Sequence, residues 1–299
     1  MTNPYARHAD FVAPARDGTA FWLIPVGLVL SDFAFALSPL ILFPLFGDGT
    51  YDVLEGRTPI SLALSLSLYA IPALAIVQWV RLRHRRSGWS LIGPPLTALK
   101  DARRVGWAVL LALLAIELLP PFADLSLLED TRPLPLWVLS LPLALVAVLI
   151  QSGSEEIIFR GYLQQQLAAL DDRPVVWMLI PSILFGGLHY WNATGAAEGV
   201  LWAFWAVLLG LACADLTART GTLGAAIGLH TANNLAILAL FGPAGGPDSG
   251  FALFLYPYEE PGRGPGLDAL ASPWALLDVI LSLGFILVLW LAARVALRR

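Results

Sequence analysis

Long apolar runs dominate the chain, and they are continuous rather than alternating. They cover residues 20–46, 59–80, 105–121, 135–158, 174–190, 199–218, 221–241 and 273–296. Each is rich in Leu, Ala and Val and close to the roughly 20 residues that carry an α-helix across a bilayer. Strands of a membrane barrel would alternate apolar and polar positions instead. The pattern predicts an all-α, polytopic membrane protein with about eight transmembrane helices. Gly and polar residues interrupt the fifth and seventh runs, so their ends are the least defined. The longest connections are about 81–104 and 242–272. The second of these is rich in Gly and Pro (GPAGGPDSG, YPYEEPGRGPG) and reads as an irregular outer cap. No internal repeat or separate soluble domain is visible, so residues 1–299 read as a single integral membrane domain.

Composition agrees with the pattern. Hydrophobic residues make up 58% of the chain and charged ones 13%, with a mean hydropathy of +0.72. A soluble domain carries about 25% charge. Only helices and closed barrels satisfy the backbone in lipid. The charges then set the orientation. With both termini inside, Arg7, Arg16, Arg81, Arg83, Arg85, Arg86, Lys100, Arg103, Arg104, Arg160, Arg173, Arg219, Arg294, Arg298 and Arg299 all fall on the cytoplasmic side. Arg57, Arg132 and Arg263 fall outside, among acids such as Asp48, Asp124, Glu129, Asp248 and Glu259. This is the positive-inside bias, and one helix more or fewer would spoil it. The first run is too long for a signal peptide, holds Asp32 and three prolines, and is expected to stay as an anchor. Cys213 is the only cysteine, which excludes an internal disulfide and a multi-cysteine metal site. A net charge of −4 carries no nucleic-acid signal, and the basic 81–104 loop is explained by topology and anionic lipid. Seventeen of the 18 basic residues are Arg, which suggests a GC-rich bacterial genome and hence a bacterial inner membrane.

Ionisable side chains inside spans are expensive and mark functional candidates. One cluster is Ser154-Glu155-Glu156-Ile157-Ile158-Phe159-Arg160. Glu156 and Arg160 are four apart and share a helix face, so they can pair. Glu155 lies about 100° away, unpaired and suited to act as a base. Alternatively, the motif is an ion-pair patch at a helix end. The second cluster is Phe185-Gly186-Gly187-Leu188-His189 and the third His230-Thr231-Ala232-Asn233-Asn234. Either histidine could serve only to bond a neighbouring helix. His230 and Asn234 face one spot. Glu155 precedes Asp172 by 17 residues and His189 follows it by 17. In an antiparallel hairpin both then lie roughly 25 Å from the turn. His230 is only about 17 Å past Arg219, so the depths agree if the hairpin protrudes into the cytoplasm by about two turns. Gln164, Gln165, Gln166 and Arg160 fit such a protrusion. The site is thereby expected in the membrane, nearer the cytoplasmic face. Asp32, Glu117, Asp215 and Asp278 lie in no comparable cluster and read as structural.

Glu155-Glu156-xxx-Arg160, Phe185-xxx-His189 and His230-xxx-Asn234 resemble, in order, the three signatures of the CPBP family of CAAX prenyl endopeptidases and bacteriocin-processing or immunity (Abi) proteins. The stretch Ala218-Arg-Thr-Gly-Thr-Leu-Gly-Ala-Ala-Ile-Gly-Leu-His230 is similar to the family's approach to its last motif. The resemblance covers about residues 140–240, the expected catalytic core. It implies an intramembrane endopeptidase acting on a membrane-associated peptide or protein. Glu155 and His189 would activate a water; His230 and Asn234 would stabilise the oxyanion; Glu156, Arg160 and Phe185 would support the site. No cofactor is preferred. The alternative is zinc held by Glu155, His189 and His230, in which Glu155 would have to act as both ligand and base unless Glu156 serves as the base. A non-proteolytic immunity or scaffold protein is the rival class. A transporter fits less well, since no inverted repeat is visible. Substrate, prenylation and oligomeric state are not legible.

Overall fold

The computed structural model describes residues 3–117, 125–260, 262 and 264–298. Asp124, Arg263, Arg299 and the end of the third apolar run lie outside the described residues. Helix dominates. A short helix, α1 (Ala6–Arg16), precedes the first apolar run. That run is broken: α2 (Leu23–Ala36) ends at Leu37–Ser38, and the chain resumes as α3 (Pro39–Phe46) and α4 (Thr50–Glu55). Pro39 starts α3, where its missing N–H costs nothing. The second run is divided in the same way into α5 (Pro59–Ser67) and α6 (Ala70–Arg83). Then come α7 (Pro95–Glu117) and α8 (Leu134–Glu156). The latter continues through a π-helical segment, Ile157–Gln164, into α9 (Gln165–Leu170). A second π segment, Val175–Leu179, leads into α10 (Ile180–Leu188). The remaining helices are α11 (Ala196–Thr220), α12 (Gly224–Leu240) and α13 (Pro273–Leu297).

Every apolar run therefore carries helix. Five stretches are long and apolar enough to cross a membrane: Leu23–Glu55, Pro59–Arg83, Leu134–Leu170, Ala196–Thr220 and Pro273–Leu297, with Gly224–Leu240 a shorter apolar helix. Beside the two divided runs, two others differ from the expectation in where their helices begin or end. α7 starts ten residues early, with Lys100, Asp101, Arg103 and Arg104 in its first half. The fifth run ends at Leu188, leaving His189 on a 3-10 turn (His189–Asn192). Large side chains such as Leu45, Leu139 and Val295 face outward, as a lipid-facing surface requires. The expected Gly/Pro-rich cap holds a small sheet, in which β3 (Phe254–Tyr256) pairs antiparallel with β1 (Asp130–Thr131) and parallel with β2 (Phe241–Pro243).

Small residues set the closest helix contact. Gly224 and Gly228 are four apart on α12 and lie against the α7 backbone: added Cβ atoms would stand 2.0 Å from the Ala98 oxygen and 2.4 Å from the Ala102 oxygen. Such small-xxx-small pairs let backbones meet where lipid supplies no hydrophobic drive. The contact fixes the depth and rotation of α12 just before His230.

The other end of the bundle is closed by α1, which turns His8, Phe11, Val12 and Ala15 inward. These lie on one helical stripe at i, i+3, i+4 and i+7. The glutamines expected to protrude into water are instead fully buried beneath it. Each side chain is anchored there: Gln164 Nε2 donates to the Ala214 oxygen, Gln165 Nε2 to the Phe11 and Ser90 oxygens, and Gln166 Oε1 accepts from Thr19 Oγ1. Tyr5 adds a 2.7 Å bond to Asp215, which also accepts from Arg219 and Trp290. Asp215 is thus a latch joining α1, α11 and α13.

Two tests follow from these contacts. Gly228→Ala should push α7 off α12 and cost about 1–3 kcal/mol, seen as a lower thermal midpoint, whereas Gly153→Ala, with no atom near the new methyl, should be neutral. The second test concerns His8. Burial, reinforced by the Arg16 charge, lowers its pKa from 6.5 to about 4. The unfolded ring takes its proton first as pH falls, so the stability of the docked helix is fully present above about 6.5. It is lost progressively toward pH 4, by roughly 3 kcal/mol. Hydrogen exchange over residues 6–16 should rise across that window in wild type and stay flat in His8→Phe. Protection unchanged down to pH 4 in wild type would contradict it.

Candidate active site

The last two residues of α8 are Glu155 and Glu156, and the π segment that follows carries Arg160. Such widened turns often occur at functional sites. Glu156 and Arg160 are both fully buried. Charges so placed survive only when paired and hydrogen-bonded. Arg160 Nη1 donates to Glu156 Oε1 at 2.9 Å, and His230 Nδ1 of α12 donates to the same oxygen at 2.7 Å. Glu156 therefore does not simply turn away toward Arg160, as the spacing alone suggested. It bridges Arg160 and His230 and so ties α8 to α12.

The opposite edge of His230 meets the other glutamate. Nε2 lies 3.5 Å from Glu155 Oε2, an ion-pair approach rather than a good hydrogen bond. Glu155 Oε2 is buried with no hydrogen-bond partner among the described residues. His230 thus lies between two adjacent carboxylates that the fold treats differently.

Phe185, on α10, is the hub of the cluster. Its ring contacts His189 (centroids 4.5 Å), His230 (5.6 Å) and Phe159 (5.2 Å), and the Arg160 guanidinium lies over it at 4.6 Å. Gly210 of α11 leaves room for that guanidinium, since a Cβ there would stand 3.1 Å from Nη2. His189 Nδ1 bonds the Phe185 carbonyl oxygen at 2.8 Å. A carbonyl only accepts, so Nδ1 carries the proton, and Nε2 of the neutral ring is an acceptor.

Asn234 reaches the same face of α8 through a residue the motifs did not single out. Its Nδ2 donates to Gln151 Oε1 at 3.0 Å, and Ser152 Oγ donates to that oxygen at 3.1 Å. Gln151 is four residues before Glu155, so both share a face. A lone amide in an apolar run was the available signal. Asn234 Oδ1 accepts from Asn233, and its second N–H stays available. The structure thus gathers Glu155, Glu156, Arg160, Phe185, His189, His230 and Asn234 from α8, its π extension, α10 and α12. Asp32 and Asp278 are exposed, away from this cluster.

The donor set of Glu155, His189 and His230 suits zinc chemically, because each imidazole has Nδ1 engaged and Nε2 free. As placed, however, no group of three or more His, Cys, Asp or Glu among the described residues is arranged to hold a metal ion.

The unequal pairing generates a stability prediction. Glu156→Gln removes the anion shared by Arg160 and His230 and should cost about 3–5 kcal/mol, read as lost yield and a lowered thermal midpoint. Adding Arg160→Met should recover part of that loss. A Glu156→Gln protein as stable as wild type would show that the buried guanidinium does not depend on this carboxylate.

Residues 137–236 match the family model described as type II CAAX prenyl endopeptidase Rce1-like. The matched segment contains the whole cluster, and its family is the one that the three motifs resemble. The chain is also similar to the uncharacterized protein YyaK of Bacillus subtilis (strain 168). The two are 29% identical over 245 residues, 76% of this chain and 80% of that one. No solved structure matches the chain.

Proposed function

We propose, from the premise that residues 137–236 are an Rce1-like domain, that the protein is an intramembrane endopeptidase hydrolysing a peptide bond in a membrane-associated protein or peptide. One observation carries the reading: Glu156 Oε1 accepts from two donors, whereas no hydrogen bond reaches Glu155 Oε2, which faces His230 Nε2 at 3.5 Å. A purely structural ion-pair patch would give each acid a hydrogen-bond donor.

The chemistry follows from these atoms. A water between Glu155 and His189 Nε2 gives its proton to the Glu155 carboxylate as its oxygen attacks the scissile carbonyl carbon. The carbonyl π pair becomes an oxyanion. His230, held through Nδ1 by Glu156, donates its Nε2–H to that oxyanion, as does the second N–H of Asn234. Collapse breaks the C–N bond, and Glu155 returns its proton to the leaving amine. Phe185 holds both imidazoles in place. With the arginine-rich end inside, the site lies nearer the cytoplasmic face of a bacterial inner membrane. A prenylated C-terminal motif is the eukaryotic substrate of the resembled family, and a bacterial host would offer a different peptide.

Cleavage of a membrane peptide by purified protein tests the reading. Glu155→Gln should lower turnover at least about 100-fold with the thermal midpoint unchanged. Turnover near wild type would end the assignment of Glu155, and a wild type that cleaves no peptide would favour the immunity or scaffold reading. Dialysis against a strong chelator should leave the rate intact. One tightly bound zinc per chain, with activity restored by adding it back, would transfer Glu155, His189 and His230 to the metal.

A further inference from the structure

The first half of α7 carries charges that the site does not use. At about 100° per residue, Leu96, Leu99, Lys100, Arg103, Arg104, Trp107 and Leu111 fall within an arc of about 140°. The opposite face holds Ala98, Asp101, Val105, Val109 and Leu113, all buried. The outer face is open: Leu96 is 84% exposed, Trp107 64% and Leu111 62%. A surface groove of about 470 Å³ runs along it, lined by Leu96, Leu99, Lys100, Arg103, Arg104 and Trp107. The three cations make no ion pair or side-chain hydrogen bond among the described residues. The nearest acid in sequence, Asp101, is turned into the bundle and 3% exposed.

A cation on the lipid-facing side of a membrane helix needs a counter-charge that the protein here does not provide. The order of side chains along the helix says where the counter-charge lies. Lys100, Arg103 and Arg104 sit within about one turn. Trp107 follows, a residue that favours the interface. Leu111 lies about 10 Å beyond Arg104, at acyl-chain depth. This is the layout of a phospholipid: phosphate against the cations, glycerol beside the indole, chain along the leucine. We infer that this groove binds an anionic phospholipid, with Lys100, Arg103 and Arg104 holding the headgroup phosphate and Trp107 and Leu111 taking the proximal acyl chain. Each cation near an anionic lipid surface contributes about 1 kcal/mol. Occupancy would also brace α7 on the side away from α12.

The test uses protein in nanodiscs of phosphatidylethanolamine with a minor share of phosphatidylglycerol, released into the gas phase for native mass spectrometry. Wild type should retain phosphatidylglycerol over phosphatidylethanolamine by at least about tenfold, as two or three contacts at that strength imply. The triple variant Lys100→Gln/Arg103→Gln/Arg104→Gln should lose the preference, and Trp107→Ala should weaken it. Photoactivatable phosphatidylglycerol should cross-link wild type within residues 96–111, which keeps the inference testable should the triple variant fold poorly. Equal retention of the two lipids, an unchanged preference in the triple variant, or cross-links mapping elsewhere would overturn it. So would displacement of the lipid by millimolar inorganic phosphate, which would make this a site for a soluble anion.

Discussion

The middle of the protein is organised around a carboxylate that water cannot reach. Glu156 has no exposed surface and lies within an apolar bundle, where an uncompensated charge costs several kcal/mol. Its compensation comes from two directions: Arg160 from the same helical stretch and His230 from α12. Much else serves that arrangement. Arg160 is itself fully buried and needs both the face of Phe185 and the space left by Gly210. His230 must arrive at the right depth, which the contact of Gly224 and Gly228 with α7 secures. The residues that do chemistry in the proposed mechanism are therefore mounted on an electrostatic demand that exists whether or not a substrate is present.

The division of labour between the two glutamates is a local consequence of helix geometry. Adjacent residues point in different directions, so only one can enter the Arg160–His230 pair. The other is left beside the far edge of the same imidazole. One histidine contacting both acids couples their charges electrostatically. A change at Glu156 will consequently be felt at Glu155 even if no atom of Glu155 moves.

The helices were legible because lipid leaves a backbone few options, and the Glu156–Arg160 pair because four residues is a helical repeat. What stayed hidden depended on distance in the chain. The bond from His230 to Glu156 spans 74 residues, and no periodicity encodes it. Gln151 lies outside the three motifs, and only the bond from Asn234, 83 residues away, ties it to the cluster. The break at Leu37–Ser38 was masked by hydrophobicity, which is blind to φ and ψ. The glutamines 164–166 looked solvated because a sequence shows polarity but not partners; Gln164 and Gln165 donate to backbone carbonyls, and Gln166 accepts from Thr19, contacts that only the fold supplies. α1 carried an apolar stripe in plain view, but the glutamines that His8 and Phe11 meet are more than 150 residues away.

That separation bears on how the molecule is assembled. α1 is synthesised before any part of the surface it covers: Gln164 and Gln165 emerge in the second half of this sequence, and Asp215 in its last third. Trp290, which shares Asp215 with Tyr5, comes later still. α1 must therefore wait, undocked, until the residues it packs on have been made. Closure of this end of the bundle is a late event in biogenesis, and the interval before it is when an insertase or chaperone has free access to the buried face of α1.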